Sequence, residues 1–205
     1  MSIPQTRTRR ARRDDLIAAT IKVVFRDGIQ VASIDRIAAE AGTSKGTALY
    51  HFANKEELYA SVVNALFDAG RTYMTERILS APDTPRCRVE AYLESNLRFI
   101  VDHIEHVVAT QQIVRYTGVP DTDDAIPSLR AMLEAGQADG SFGDFDAEFT
   151  AHTIRDIIDS AAYYLPDHPE MDSEDFIAQG VGLVLRAIGV EGAPAPGGAS
   201  RTDAA

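Results

Sequence analysis

The sequence predicts an all-α protein of about nine helices, and three observations carry that expectation. Apolar residues recur at helical spacing along almost the whole chain, and capping residues and Gly or Pro breaks fall between successive stripes. No convincing alternating apolar and polar run bounded by turn residues marks a strand. The 205 residues are 45% hydrophobic and 25% charged, enough apolar material to bury a core and the composition of an ordinary soluble globular protein. The expected layout is a three-helix N-terminal head followed by a larger helical C-terminal domain.

The first helix carries a one-sided stripe of Leu16, Ile17, Thr20, Ile21, Val24 and Phe25 and stops at Asp27-Gly28. Ser33 is the N-cap expected for a short helix over 34–40, with Asp35 in its first turn, where the helix dipole favours an anion. After Ala41-Gly42-Thr43, Ser44 caps a second short helix over 45–52. Ala53-Asn54 then breaks the chain before a long helix over 55–79, striped by Leu58, Val62, Leu66, Ala69 and Tyr73 and ended by Pro82 and Pro85. Val89, Leu93, Leu97, Ile100 and Ile104 open a further helical stretch with a polar-rich continuation to about residue 116. An Asp- and Pro-rich loop is expected over 118–127, then a short helix ending at Asp139-Gly140. Asp146 opens a strongly periodic helix through Ile154, Ile157, Ile158, Ala161, Ala162 and Leu165, which Pro166 and Pro169 close. Asp172 or Ser173 opens the last helix, reaching about residue 188, and the Gly-, Ala- and Pro-rich tail over 191–205 is expected to be disordered.

A formal net charge of −11, taken as an average, argues against a nucleic-acid partner. The average hides a split: residues 1–55 carry ten basic and five acidic side chains, and residues 56–205 carry ten basic and 26 acidic. The head is therefore net +5 and the rest net −16, an asymmetry that suits a basic nucleic-acid module joined to another domain. The arginines at 7, 9, 10, 12 and 13 read as a flexible basic arm over 1–13. Such an arm either reaches phosphates and the minor groove or simply solubilises the chain.

Two short helices joined by a tight Gly-containing turn form a helix-turn-helix, in which the second helix enters the major groove. Ala38 and Ala41 allow the helices to cross closely, Gly42 permits the turn, and Ile34, Ile37 and Phe52 fill the core beneath. Ser44, Lys45, Thr47, Tyr50 and His51 supply donors of suitable length for phosphates and base edges, and Lys55 adds a charge at the next helix start. The run Ala41-Gly42-Thr43-Ser44-Lys45-Gly46-Thr47-Ala48-Leu49-Tyr50-His51-Phe52 followed by Lys55-Glu56-Glu57-Leu58 resembles the signature of the TetR family of transcriptional regulators. The upstream pieces Phe25-Arg26-Asp27-Gly28 and Ser33-Ile34-Asp35-Arg36-Ile37-Ala38 extend the likeness, which covers about residues 10–66. Gly140-Ser141-Phe142-Gly143-Asp144-Phe145-Asp146 also looks like a junction common in actinobacterial members of the family.

That resemblance implies a DNA-binding domain over 14–55 and a dimerisation and effector-binding domain over 56–190. Carried over by position, Ser33, Ser44, Tyr50, His51 and Lys55 would clamp phosphates, and Lys45, Gly46, Thr47 and Tyr50 would lie nearest base edges. One departure stands out: where the family has Leu-Tyr, this chain has Ala48-Leu49, so a usual phosphate-contacting tyrosine is missing. Leu49 either touches a thymine methyl or sits partly in the core, with the helix rotated to compensate for the small Ala48.

In the acidic domain, the apolar faces of the last two helices and the small residues among them suit either a four-helix dimer interface or burial within one subunit. The interface candidates are Ile158, Ala161, Ala162, Gly180 and Val184, and a twofold dimer implies a palindromic operator. The family's pocket between the middle helices favours Phe99, His103, Gln112, Arg115, Tyr116 and Tyr163 as effector contacts. The expected function is a repressor released from double-stranded DNA by a small molecule. The alternative is a helix-turn-helix protein whose C-terminal domain is a protein-interaction module without such an effector.

Enzymatic motifs are missing: there is no Gly-x-Ser-x-Gly, P-loop or dinucleotide fingerprint. His103 and His106 stand one turn apart, yet Ile100 occupies the position where a di-iron bundle needs Glu, so no metal and no cofactor is expected. One cysteine, Cys87, allows no internal disulfide, and no signal peptide or membrane span is apparent. A cytoplasmic bacterial homodimer, nucleoid-associated when bound to DNA and without membrane contact, is the expected setting.

Overall fold

The computed structural model describes residues 3–118 and 125–190, with side chains from Thr8 onward. Among these residues there are nine α-helices and one short 3₁₀ turn, Ile29–Val31, and no strand. The helices are α1 (Ile3–Asp27), α2 (Ile34–Glu40), α3 (Lys45–His51), α4 (Lys55–Ser80), α5 (Pro85–Asp102), α6 (Ile104–Thr117), α7 (Ala125–Ala138), α8 (Ala147–Asp167) and α9 (Ser173–Ala187). The chain divides into two compact units. One holds residues 1–69 and 103–122, and the other holds 70–102 and 123–205.

In the first unit, the anticipated caps form. Ser33 Oγ accepts from the Arg36 N–H at 3.2 Å and Ser44 Oγ from the Thr47 N–H at 3.1 Å. Asn54 Oδ1 accepts from the Glu57 N–H at 2.8 Å while the Glu57 carboxylate reaches back to the Ala53 N–H at 2.7 Å, an exchange close to a capping box. α2 ends in paired bonds from Thr43 N to the Ala38 carbonyl and from Gly42 N to the Ala39 carbonyl. That termination needs a left-handed residue, and Gly42 supplies it at φ +63°. Leu16, Val23, Ile37, Phe52, Leu58 and Val62 close into one core with Ala109 and Ile113 of α6.

Several boundaries differ from the sequence expectation. α1 begins at Ile3, so the basic run over 7–13 lies on a helix and is not a flexible arm. Pro4 stands in its first turn, where a missing N–H is harmless, and Gln5 to Arg13 contains no helix breaker. The stretch expected to run unbroken to about residue 116 is two helices, interrupted at His103 (φ −125°, ψ 28°). One apolar stripe there serves two cores: Val89, Leu93 and Leu97 are buried in the second unit, and Ala109 and Ile113 in the first. Thus the domain expected over 56–190 gives part of α4 and all of α6 to the head. α7 starts at Ala125, inside the expected loop, with Pro127 tolerated in its first turn. α8 runs through Pro166 to Asp167. The tail expected to be disordered lies outside the described residues.

The second unit is built on α5, which contributes Val89, Tyr92, Leu93, Leu97, Phe99 and Ile100 to burial. Facing helices supply Leu129 and Leu133 from α7, Ile154 and Ile158 from α8, and Ile177 and Leu185 from α9. The Gly140–Asp146 junction is tied down: Gln137 Nε2 donates to the Gly143 and Phe145 carbonyls, and the Gly143 N–H donates to the Ile188 carbonyl at 2.9 Å. Asp146 caps α8 by accepting from the Phe149 N–H at 2.9 Å.

This packing corrects four of the five interface candidates. Ile158, Ala161, Ala162 and Val184 are 0%, 0%, 2% and 2% exposed within a single chain, so they fill its own core. Gly180 lies against Leu97, whose Cδ1 would be 2.9 Å from an added Cβ. The small residues bring helices together inside one subunit.

Candidate nucleic-acid interface

The exposed surface of α3 is set by the residues its core requires. Ala48, 1% exposed, takes the inward position with Phe52, so Leu49 and Tyr50 turn outward at 41% and 69% exposure. Of the two alternatives for the Ala48-Leu49 departure, the outward Leu49 is the one observed, and Tyr50 is the large aromatic of this face. Lys45 and Gly46 are exposed beside them, and Ser33 and Ser44 are exposed while acting as caps. Ser44 Oγ and Thr47 Oγ1 are also 3.0 Å apart, so Thr47 is held against its own cap. Lys45 Nζ lies 2.8 Å from the Asp35 carboxylate across the turn, with both side chains more than half exposed. An ion pair so exposed contributes at most about 1 kcal/mol, so it holds the lysine only weakly.

Two residues expected among the phosphate contacts sit differently. His51 is buried at 8% exposure, and among the described residues its Nδ1 has no hydrogen-bond partner. Burial lowers its pKa below the ordinary 6.5, and the guanidinium groups of Arg9, Arg13 and Arg12 lower it further. Burial and these arginines thus disfavour its protonated form at the end of α3. Lys55 lies over two aromatic faces, 5.3 Å from the Tyr59 ring centroid and 5.4 Å from that of Tyr116. Tyr59 is fully buried and bonds the Ala32 carbonyl, and burial pushes its hydroxyl up to about 12.

Sequence reasoning read the arginines of α1 as an arm and missed that Arg9 and Arg13 brace this face. Arg13 donates through Nη1 to the His51 carbonyl, stacks over the Phe52 ring at 4.0 Å and pairs with Glu57 at 3.5 Å. One turn earlier, the Arg9 guanidinium lies 5.5 Å from the Tyr50 ring centroid. The signal was available: Arg9 and Arg13 are four residues apart, the spacing that puts two side chains on one face once the segment is helical. At the other end of α1, Asp27 joins Arg26 and Arg36 at 2.8 and 2.9 Å, and both hold its carboxyl below the usual range.

The six effector candidates divide between the two units. Gln112, Arg115, Tyr116 and His103 belong to the first unit, where Gln112 Oε1 accepts from the Ile29 N–H and Tyr116 covers Lys55. Phe99 and Tyr163 belong to the second. Phe99 is buried beside Tyr73, with ring centroids 5.5 Å apart, and Tyr163 is 53% exposed. The second unit holds a groove of about 510 Å³ lined by Glu76, Arg77, Ser80, Glu94, Ser95 and Arg98, none of them an effector candidate. Its charges are largely internal: Arg98 bonds both carboxylate oxygens of Glu174, and Arg77 lies over the Tyr73 ring at 3.3 Å. Among the described residues no cluster of His, Cys, Asp and Glu has a metal-binding arrangement, and no helix is long and apolar enough to cross a membrane.

Residues 16–62 match the family model described as bacterial regulatory proteins, tetR family. The chain is 26% identical over 145 residues to the HTH-type transcriptional repressor NicS of Pseudomonas putida, a match covering 64% of this chain and 66% of that protein. It spans, then, just under two thirds of that relative's length. It is also 26% identical to the HTH-type transcriptional activator FasR of Mycolicibacterium smegmatis, over 81% of this chain and 78% of that one. Among solved structures, a bacterial regulatory protein of the tetR family from Rhodococcus RHA1 superposes with a TM-score of 0.75 at 20% identity, covering 87% of this chain and 97% of the other.

Proposed function

We propose, on the match of residues 16–62 to the model of tetR-family bacterial regulatory proteins, that the chain is a transcriptional repressor released from a palindromic operator by a small molecule. The observation that supports this best is the outward face of α3, where Lys45, Gly46, Leu49 and Tyr50 are exposed above a fully buried Ala48 and Phe52. A short helix with donors and one apolar side chain outside, on a rigid core, has what major-groove readout requires. Leu49 offers apolar contact to a thymine methyl, Lys45 and Thr47 offer donors to base edges, and the exposed Ser33 and Ser44 offer hydroxyls to phosphates.

The proposed assembly is a homodimer in the cytoplasm. Its twofold contact uses the outer faces of α8 and α9, where Phe149, Tyr163 and Leu183 are 71%, 53% and 51% exposed. These replace the small residues, which the core already occupies. The effector is proposed to bind in the second unit and to act through α4, the helix that begins at the DNA-binding head and continues into that unit. Such control requires that the ligand favour one conformation over the other, typically by about 1–3 kcal/mol. Repression is proposed over activation on the likeness to the repressor of Pseudomonas putida.

Selection from random-sequence duplexes with the purified chain tests the reading. Enrichment of an inverted repeat, with half-sites a helical turn or more apart, is the expected result. Recovery of unrelated sequences at equal frequency would overturn it.

A further inference from the structure

The most basic part of the molecule is not on α3 but on the first turns of α1. Arg9 and Arg10 are exposed, and among the described residues no carboxylate pairs with either. The next turn of the helix holds them in place. Arg13 fastens α1 to the end of α3 through the His51 carbonyl, the Phe52 ring and Glu57. Arg9, four residues and about 6 Å earlier along the axis, shares that face and reaches the exposed Tyr50 ring. A ring face attracts a guanidinium without accepting its in-plane N–H groups, so all five donors of Arg9 remain available. The Tyr50 hydroxyl, at the rim of the same contact, is a further donor. The concentration of positive charge here is also felt by His51, whose protonation Arg9, Arg12 and Arg13 oppose.

We propose that Arg9 and Tyr50 form a joint phosphate clamp at the edge of the α3 face, with the basic turns of α1 lying along the DNA backbone as a rigid extension of that face. The proposal rests on the DNA-binding reading above and adds a contact outside the helix-turn-helix. It also gives Tyr50 a partner suited to a chain that has leucine at 49. The occupant is identified by charge: a row of closely spaced monoanionic phosphates matches guanidinium donors on a net-negative protein whose head alone is basic.

The test is a polarisation titration of the full chain between 50 and 200 mM salt. One duplex is the sequence that wild type enriches from a random pool, and the other is an unrelated duplex of equal length. For Arg9→Ala the slope of log K against log salt falls in magnitude by about 0.9, the value of one lost phosphate contact. The wild type then loses about 3.5-fold more affinity than the variant over that salt range. The loss at any one salt is the same on both duplexes, because a phosphate contact carries no sequence information. Arg9→Lys keeps the slope and loses part of the affinity, and Arg9→Ala combined with Tyr50→Phe costs less than the sum of the two. Arg88→Ala, which removes an equal charge far along the sequence, leaves the slope unchanged. A wild-type slope in Arg9→Ala, with its thermal midpoint unaltered, overturns the clamp while the DNA-binding reading stands. A loss confined to the selected duplex also overturns it, since that is base readout. If wild type enriches no sequence at all, the underlying reading fails and the clamp fails with it.

Discussion

The Gln112 side-chain carbonyl accepts a hydrogen bond from the Ile29 N–H at 3.2 Å, across 83 residues of sequence. It joins α6 to the turn after α1, and Ala109 and Ile113 bury in the same core. α6 is therefore structural material of the head, although its sequence lies about forty residues beyond the family match.

Gln112→Ala leaves the Ile29 N–H without its partner in a site only 9% exposed. The expected destabilisation is about 1–3 kcal/mol by urea denaturation, and Gln112→Glu, which keeps an acceptor, retains most of the stability. Equal stability of Gln112→Ala and wild type would contradict the role assigned to this bond.

Arg13 combines an Nη1 hydrogen bond to the His51 carbonyl with a planar stack over Phe52, a combination that lysine does not reproduce. Arg13→Lys is expected to lose about 1 kcal/mol despite keeping its charge, since the cation–π contact alone is of order 0.5–1 kcal/mol. The Glu57 pair, with both side chains a third or more exposed, adds little. Chemical denaturation of Arg13→Lys beside Arg13→Ala checks this: near-equal losses support the stack and the hydrogen bond, while wild-type stability in the lysine variant argues for charge alone.

A Cβ on Gly136 would stand 2.1 Å from the Phe142 ring, closer than any contact can be. Gly136→Ala must push that ring away or bend α7, and overpacking of this kind costs about 1–3 kcal/mol. Combining it with Phe142→Leu recovers part of the loss if the clash is the cause. Strict additivity in the double-mutant cycle would rule that cause out.

His51 and His106 give the fold a dependence on pH. Burial lowers the pKa of both from 6.5; at His106 the bond to the Val62 carbonyl at 2.9 Å opposes the shift and the neighbouring His103 adds to it. Below about pH 6.5 the unfolded chain takes up protons that the folded chain refuses, so stability falls as pH drops toward the lowered folded values. Each histidine contributes a slope of at most about 1.4 kcal/mol per pH unit in that window. Urea midpoints between pH 7.5 and 5.5 measure it. His106→Gln is expected to flatten the curve, and a curve as steep as wild type would show that His106 contributes nothing to it.

The helix-turn-helix was legible in the sequence because local rules decide it. Ser33, Ser44 and Gly42 each act within four residues of themselves, and each does what its type and position imply. The helical start of α1 was hidden by composition: five arginines in seven positions resemble a solvated tail, and only their tertiary anchor at Arg13 distinguishes a helix. The break at His103 was hidden by periodicity, since a stripe at helical spacing does not reveal that its two halves enter different cores. The same blindness led the small residues of α8 and α9 to an interface. Spacing identifies a face to be buried, but the partner that buries it is a property of the fold. The partners of two effector candidates were hidden for that reason too: Gln112 and Tyr116 meet Ile29 and Lys55, which lie far away in sequence.

The most direct test of the central proposal, that the face of α3 reads DNA sequence, is the ratio of affinities for the selected duplex and a shuffled one at 150 mM salt. The predicted ratio is about 10³ or more, as specific regulators show. Lys45→Ala and Leu49→Ala are predicted to shrink that ratio at individual base positions while leaving binding to the shuffled duplex nearly intact. A ratio near one, or a ratio unaffected by either substitution, would contradict it.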